Sequence, residues 1–261
     1  MFWKTFIVAT IIPVFAFSQG GTEILLFDLK ADKDGRYTIS NGKNITNHKG
    51  YDNQPSFHPT KPEILYASAI DTTNVDIKIF NFSTGKTTQF TATPENEFSP
   101  TVTPDRKFIS CVIQRKNGDQ DLAKYPIEGG SEILLIDDLK VGYYAWADSI
   151  QLMLYVLADT GNILYYYHTL AKHRTYITKN IKRSLHKIPN EDAISYVEKS
   201  GDAFMIRRLP LKQEAAWNIT EFPGKDDYCW SGDGSALFTW KNGKLFSFRP
   251  GKDTEWQGVT I

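Results

Sequence analysis

The sequence predicts an all-β protein and, within that class, a β-propeller. Aromatic residues make up 13% of the chain, with 13 Tyr, 16 Phe and 6 Trp, and such side chains favour strands. A short apolar run, a tight polar turn and a second apolar run also recur five times along the chain. Each recurrence continues into two further strand-like runs, and four short antiparallel strands per unit are typical of a propeller blade.

The five recurrences are almost evenly spaced. Their apolar anchor residues are separated by 45, 44, 42 and 42 positions, and these anchors are Phe57, Val102, Trp146, Ile188 and Trp230. A β-sandwich does not repeat at a fixed four-strand period. A helical solenoid would show helical periodicity, and the repeats show none. The spacing therefore favours a propeller over both alternatives.

The number of blades is less directly predicted. Residues 19–261 correspond to roughly 5.7 units of about 43 residues each. Ahead of the first complete repeat, residues 23–29 and 36–47 resemble an isolated pair of strands. We therefore predict six blades with an incomplete N-terminal one. The alternative is a five-bladed propeller with an extra N-terminal hairpin.

Residues 1–18 resemble a cleavable signal peptide. Lys4 precedes the apolar run Thr5–Phe17, and Ala16-Phe17-Ser18 has the small residues of a cleavage site. The apolar run is shorter than the roughly 20 residues that a membrane-spanning helix needs. No Cys lies nearby to accept a lipid anchor. We expect a single propeller domain over residues 19–261, periplasmic or secreted and without a membrane span.

The overall charge excludes several classes of partner. Thirty basic and thirty acidic side chains cancel, so a nucleic-acid partner or an anionic membrane surface is not expected. The sequence contains no phosphate-binding loop, nucleophile elbow or dinucleotide fingerprint. We expect a monomer that carries no cofactor.

Three segments resemble the WD-repeat-like units of TolB-type propellers: Gly50–Pro59, Phe98–Lys107 and Trp230–Gly234. The resemblance extends over about residues 22–248 and implies the fold more strongly than the function. The repeats around Trp146 and Ile188 depart from the family, since they lack its Pro-Asp-Gly turn. TolB also carries an α/β domain ahead of its propeller, for which this chain leaves no room, so a Tol–Pal role is not expected.

The loops that enter the first strand of each blade provide the candidate binding surface. In a propeller these loops share one face, around the mouth of the central channel, and loops on a rigid scaffold commonly carry function. The loops differ chemically from blade to blade, as on a binding surface, although solvated loops would look the same. The predicted binding residues are Tyr51, Asp52, Asn53, Glu97, Tyr143, Arg183, His186, Asp226 and Asp227.

Two functions are compatible with this face. We favour an exported, non-catalytic scaffold that binds a protein or another envelope component. The alternative is a hydrolase or lyase acting on a glycan or peptide at the channel mouth. Its carboxylates would be Asp52, Glu97, Asp226 and Asp227, with His186 beside them.

Residues that commonly bind metals are not arranged as a site. The five histidines form no closely spaced pair on one element: His48, His58, His168, His173 and His186. Asp32–Gly35 resembles the start of a calcium loop, but Tyr37 occupies the glycine position and Lys43 the position of the bidentate glutamate. We therefore expect a hairpin turn there and no metal site.

Cys111 and Cys229 fall on strands of different repeats. We predict that both are buried free thiols, because the repeat pattern separates them by more than the roughly 7 Å between Cα atoms that a disulfide spans. The aromatic run Tyr165–Tyr167 is interpreted as core filling, since alternate strand residues point into the sheet packing.

Overall fold

A computed structural model of the protein describes residues 5–11, 21–70, 74–212, 215–224 and 227–261. These residues form strands and turns and contain no helix. Accordingly, no helix in this part of the chain is long and apolar enough to cross a membrane. The all-β prediction is confirmed.

The first three strands form one sheet, in the order β1 (Thr5–Ile11), β2 (Glu23–Ala31) and β3 (Tyr37–Asn44). The turn between β2 and β3 is closed by Asp32, whose Oδ1 accepts the backbone N–H groups of Asp34 (2.9 Å) and Arg36 (2.8 Å). The predicted hairpin turn is thus confirmed at the calcium-like segment.

The remaining strands form five antiparallel sheets of four strands, numbered here as blades 1 to 5. Blade 1 contains β4 (Tyr51–Phe57), β5 (Glu63–Ala69), β6 (Asp76–Asn81) and β7 (Lys86–Gln89). Blade 2 contains β8 (Asn96–Val102), β9 (Phe108–Gln114), β10 (Gln120–Pro126) and β11 (Ile133–Ile136). Blade 3 contains β12 (Val141–Trp146), β13 (Gln151–Val156), β14 (Ile163–His168) and β15 (His173–Lys179). Blade 4 contains β16 (Ile181–Lys187), β17 (Ala193–Ser200), β18 (Ala203–Pro210) and β19 (Trp217–Glu221). Blade 5 contains β20 (Tyr228–Trp230), β21 (Leu237–Lys241), β22 (Lys244–Phe248) and β23 (Gln257–Gly258).

The five blades fit the five-bladed alternative with an added N-terminal hairpin. The prediction of a sixth, incomplete blade is not confirmed. The sheet that holds the hairpin β2–β3 has three strands, and β1 comes from the segment predicted to be a signal peptide. That signal peptide remains a prediction.

Contacts between residues divide the chain into two compact units. The N-terminal unit contains residues 6–27 and 41–140, and the C-terminal unit contains residues 28–40 and 141–261. Blades 1 and 2 therefore belong to the N-terminal unit and blades 3 to 5 to the C-terminal unit. The candidate site residues of each unit are considered separately below.

The second strand of a blade is the most deeply buried. In β5 every residue after Glu63 is buried, β9 and β13 are buried at nearly every position, and β17 is buried over its first five residues. Because successive strand residues point to opposite faces, such strands must be covered on both sides. In the N-terminal unit, Ile64 and Tyr66 of β5 pack with Ile24 of the hairpin, whereas Leu65 packs with Ile109 of blade 2.

The C-terminal unit is built in the same way. Tyr155 of blade 3 packs with Tyr196 of blade 4, and Val197, the next residue of β17, packs with Leu237 of blade 5. The chain end also joins this unit, since the N–H of Ile39 in β3 donates to the carbonyl of Thr260 (2.8 Å).

Short side chains close the turns between first and second strands. In blade 2, Thr103 Oγ1 donates to Asp105 Oδ1 (2.6 Å), and in blade 5 Ser231 Oγ donates to Asp233 Oδ1 (2.5 Å). In blade 1 the equivalent residue is His58, whose Nδ1 accepts two backbone N–H groups of the turn, at 3.1 and 3.0 Å. His58 is therefore part of the turn rather than a ligand.

The other minor predictions have mixed outcomes. Cys111 and Cys229 are both free, as predicted, but only Cys111 is fully buried; Cys229 retains some exposure. Core filling is confirmed for Tyr167, which is 5% exposed, and Tyr166 packs against the core of blades 3 and 4.

Gly234 offers a test of how closely blades 4 and 5 approach each other. It has φ +73°, and a Cβ at this position would lie 2.6 Å from the carbonyl oxygen of Pro189. Gly243 has φ +75° with nothing within 4 Å of such a Cβ. Gly243→Ala should cost roughly 1–2 kcal/mol from the left-handed backbone alone. Gly234→Ala should cost about 1–3 kcal/mol more, because the turn must also move.

Urea denaturation of both variants and the unsubstituted protein measures these costs. Equal losses of unfolding free energy in the two variants would contradict the close approach between the blades.

Candidate functional site

The nine predicted binding residues are distributed over both units. Tyr51, Asp52, Asn53 and Glu97 belong to the N-terminal unit, and Tyr143, Arg183, His186 and Asp227 to the C-terminal unit. Asp226 lies outside the described residues. The binding role assigned to the nine remains a prediction, but their surroundings differ sharply.

Asp52 is the second residue of β4 and is completely buried. Its backbone N–H donates to Oγ1 of Thr22 (3.1 Å), and its Oδ2 lies 3.1 Å from Nε2 of His48. Burial raises the pKa of this carboxyl, and the nearby imidazole of His48 opposes that rise. Because no part of Asp52 reaches solvent, its carboxylate cannot contact a ligand at the blade surface in this conformation.

Glu97 occupies the equivalent position in β8 and is also completely buried. Its carboxylate accepts hydrogen bonds from Thr91 Oγ1 (3.1 Å), Thr93 Oγ1 and Tyr125 OH (3.4 Å). Burial raises the pKa of Glu97 to about 7, although the threonine hydroxyls lower it in part and the charge of Asp76 raises it further. Glu97 therefore ties the connection between β7 and β8 to β10 of blade 2.

Tyr51 and Asn53 flank Asp52 and are partly exposed. The ring of Tyr51 packs edge-on against Phe98, with 6.2 Å between ring centroids. Asn53 Oδ1 accepts the N–H of Gln54, which has φ 54°, and Gln54 in turn accepts the N–H of Ser99, φ 53°. The first strands of blades 1 and 2 are thus linked through two residues of left-handed conformation.

Three predicted residues come together in the C-terminal unit. Tyr143 lies near the start of β12, Arg183 near the start of β16, and Asp227 directly before β20. Arg183 forms a two-pronged ion pair with Asp227, at 2.7 and 3.2 Å, and its guanidinium carbon lies 5.9 Å from the ring centroid of Tyr143. Each of blades 3, 4 and 5 contributes one residue. We call this cluster the tyrosine–arginine patch.

The patch is accessible to solvent. The side chains of Arg183 and Asp227 are 41% and 55% exposed. Exposed ion pairs contribute little to stability, so this pair can open without a large energetic cost. The patch therefore offers an aromatic ring, a planar cation and a carboxylate to a partner.

His186 does not join the patch. Its ring packs against Tyr228, 4.7 Å between centroids, and its Nε2 lies 3.1 Å from Ser184 Oγ. Burial lowers the pKa of His186 to about 4, while the charge of Asp227 raises it in part. Ser184 is itself 3% exposed and also accepts the N–H of Tyr228 (3.2 Å). Ser184 is thus buried, His186 is partly exposed, and the pair ties blade 4 to blade 5.

No group of three or more His, Cys, Asp or Glu side chains capable of holding a metal occurs in the described part of the chain. His48 faces Asp52, and His168 accepts the N–H of Ala171 at the turn between β14 and β15 (3.1 Å). Each of these histidines has a local structural role.

Several residues that determine the surroundings of the predicted positions were missed by sequence reasoning. Thr91, Thr93 and Tyr125 enclose Glu97, and Ser184 bridges to Tyr228. Threonines and serines are frequent at strand ends and turns, so their positions in the repeat carried no signal for these contacts.

Glu97 predicts a pH-dependent stability. Its pKa lies near 7 when folded, against 4.5 in the unfolded chain, so ionisation favours the unfolded state. Stability should fall as pH rises from about 4.5 to about 7, by at most about 3 kcal/mol. Glu97→Gln removes this penalty, so its stability relative to the unsubstituted protein should increase over the same interval.

Denaturant titrations of both proteins between pH 4 and pH 8.5 provide the measurement. Glu128→Gln, an exposed residue of the same unit, is the matched control and should not reproduce the effect. A difference between Glu97→Gln and the unsubstituted protein that stays constant with pH would contradict the assignment.

Comparisons with known proteins identify the fold. No protein-family model and no curated protein matches the sequence. Among solved structures, TolB from Acinetobacter baumannii matches with a TM-score of 0.71 at 14% identity, covering 97% of this chain and 65% of that one. A putative TolB from Agrobacterium tumefaciens matches with a TM-score of 0.70 at 11% identity, covering 84% and 83%.

An enzyme is also similar. Oligogalacturonate lyase from Vibrio parahaemolyticus matches with a TM-score of 0.56 at 14% identity, covering 90% of this chain and 85% of that one. The chain spans 65% of the length of the Acinetobacter TolB, and at these identities the likeness concerns the fold. The chain therefore has a β-propeller fold, similar to that of the two TolB structures.

Proposed function

We propose that the protein is an exported, non-catalytic propeller that binds a protein or another envelope component through the tyrosine–arginine patch. The observation that carries this proposal is the meeting of Tyr143, Arg183 and Asp227 from three successive blades. Tyrosine and arginine are enriched among the residues that dominate binding energy in protein interfaces.

The chemistry of the patch suits a polar protein surface. The guanidinium of Arg183 has a planar fork that can transfer from Asp227 to a carboxylate of the partner. Because both side chains are already partly solvated, this exchange costs less than breaking a buried pair. Tyr143 supplies an adjacent aromatic surface that loses little side-chain entropy on binding.

The alternative is a hydrolase or lyase, and its support comes from similar structures that are enzymes, including oligogalacturonate lyase and a puromycin-hydrolysing peptidase. Two of its proposed carboxylates, Asp52 and Glu97, are completely buried within blades, which weighs against their direct contact with a substrate. Asp227, another carboxylate of the proposed enzyme, is exposed, but it forms an ion pair with Arg183. The binding function is therefore preferred.

Substitution of Arg183 tests the proposed function. The purified protein should retain a partner from an envelope extract of the native organism, and the partner is then identified by mass spectrometry. Arg183→Ala should raise the dissociation constant for that partner by about tenfold or more, because it removes a central arginine of the interface. Calorimetric titration with the isolated partner provides the measurement.

Lys86→Ala is the control for the loss of one positive charge, since Lys86 is exposed on the outer strand β7. It should leave the affinity unchanged. If Arg183→Ala and Lys86→Ala bind equally well, or if no partner is retained, the patch is not the binding surface.

Export is tested by the N-terminus of the mature protein. Cleavage after Ser18 would leave Gln19 as the first residue, and mass spectrometry of the exported protein identifies it. Ala16→Leu should block processing because it replaces a small residue of the cleavage site, whereas Phe17→Leu should be tolerated. Recovery of full-length protein with Met1 intact would refute cleavage.

A further inference from the structure

A second surface feature lies in the C-terminal unit, at the strand ends opposite the tyrosine–arginine patch. It is a groove of about 400 Å³ between blades 4 and 5. The turns that follow β16 and β20 line it, together with the start of β19 and the residues after β22. We call it the turn-side groove, and its principal lining residues are Glu191, Arg208, Trp217, Trp230, Ser235 and Lys252.

Trp217 is the exposed aromatic residue of the groove. It is 45% exposed, although large aromatic side chains are usually mostly buried. The guanidinium carbon of Arg208 lies 4.4 Å from its ring centroid, and Arg208 is held by Glu191 at 2.6 Å. The indole is thus stacked on an ion-paired guanidinium, and part of the ring is open to solvent.

The opposite wall of the groove is also fixed. Trp230 Nε1 donates to Ser195 Oγ (2.8 Å), so one ring edge is anchored in blade 4. The turn of blade 5 is tied to the turn of blade 4 through Asn190 Nδ2, which donates to the carbonyl of Asp233 (3.2 Å). The groove is therefore already formed without a ligand, which lowers the entropic cost of binding.

The polar groups around the rings include both donors and acceptors. Arg208 and Lys252 donate, the carboxylate of Glu191 accepts, and the hydroxyl of Ser235 can do both. The charges of both signs do not match a polyanion such as nucleic acid. The volume lies in the lower part of the roughly 300–1,000 Å³ typical of small-ligand sites.

We propose that the turn-side groove binds an oligosaccharide. A pyranose ring presents C–H groups from one face, which suit the electron-rich face of an indole. Its hydroxyls each donate and accept, which matches the mixed polar rim. This inference is independent of the proposed function, because the groove and the tyrosine–arginine patch lie at opposite ends of the strands.

Calorimetric titration with two hexasaccharides tests the proposal, one neutral (chitohexaose) and one bearing carboxylates (a hyaluronan hexamer). At least one should bind saturably at millimolar concentration or below. Trp217→Ala should weaken that binding by about tenfold or more, because it removes the aromatic platform. Trp217→Phe should retain part of the affinity. Lys252→Ala should weaken binding of the acidic sugar more than that of the neutral one, because it removes a cation from the groove lining.

The control is Tyr176→Ala, which removes another exposed aromatic ring, 54% exposed, on the outer strand of blade 3. It should bind both sugars normally, and all variants should share the circular dichroism spectrum of the unsubstituted protein. Absence of saturable binding to either sugar overturns the proposal. So does binding that Trp217→Ala leaves intact, or loss of a protein partner in Trp217→Ala without any sugar binding.

Discussion

Burial of the second strand on both of its faces is the constraint on which the rest of the structure depends. In β5, consecutive residues pack in opposite directions: Ile64 with the N-terminal hairpin and Leu65 with blade 2. The same division recurs in β17, where Tyr196 faces blade 3 and Val197 faces blade 5. Within each unit, each blade therefore packs against the next one. Because the second strands are buried, the residues that a ligand can reach lie at the turns and strand ends.

The N-terminal hairpin follows from the same requirement. Blade 1 has an apolar face that would otherwise be open to water, and Ile24, Leu26 and Ile45 of the hairpin segment cover it. Two strands are therefore enough to cover the apolar face of blade 1, and the first two strands of a further blade are not needed for this contact. The described strands form five four-stranded blades and one three-stranded sheet that holds this hairpin, which fits the five-bladed alternative.

The charged side chains near the starts of first strands are of two kinds. Asp52 and Glu97 stand 45 positions apart, at the same place in successive repeats, and both point into their blades. Arg183 and Asp227 lie near the starts of β16 and β20 and remain in solvent. The first pair belongs to the architecture of the N-terminal unit, and the second belongs to a surface that a partner can reach.

The two ends of blades 4 and 5 present different chemistry. One end carries the tyrosine–arginine patch, with an ion pair that solvent already weakens. The other carries the turn-side groove, with two indole rings held by hydrogen bonds and stacking.

The fold class follows from the sequence, because a four-strand period of 42 to 45 residues is typical of propeller blades. The sequence also identified the turns: the Asp of Ser231-Gly232-Asp233 closes its turn through contacts within four residues. Local hydrogen bonds of this kind depend on residues close in sequence, and these predictions were correct.

Which of the aligned residues come into contact depends on the packing of the blades. Nothing in the repeat alignment distinguishes buried Glu97 from exposed Arg183, since burial depends on the neighbouring blade that covers each strand. The contact of Arg183 with Asp227 spans 44 positions, and that of Trp217 with Arg208 requires two strands to pair in register. Exposure and side-chain contacts depend on how the blades pack. The repeat pattern therefore predicts the fold but does not predict which residues form a binding surface.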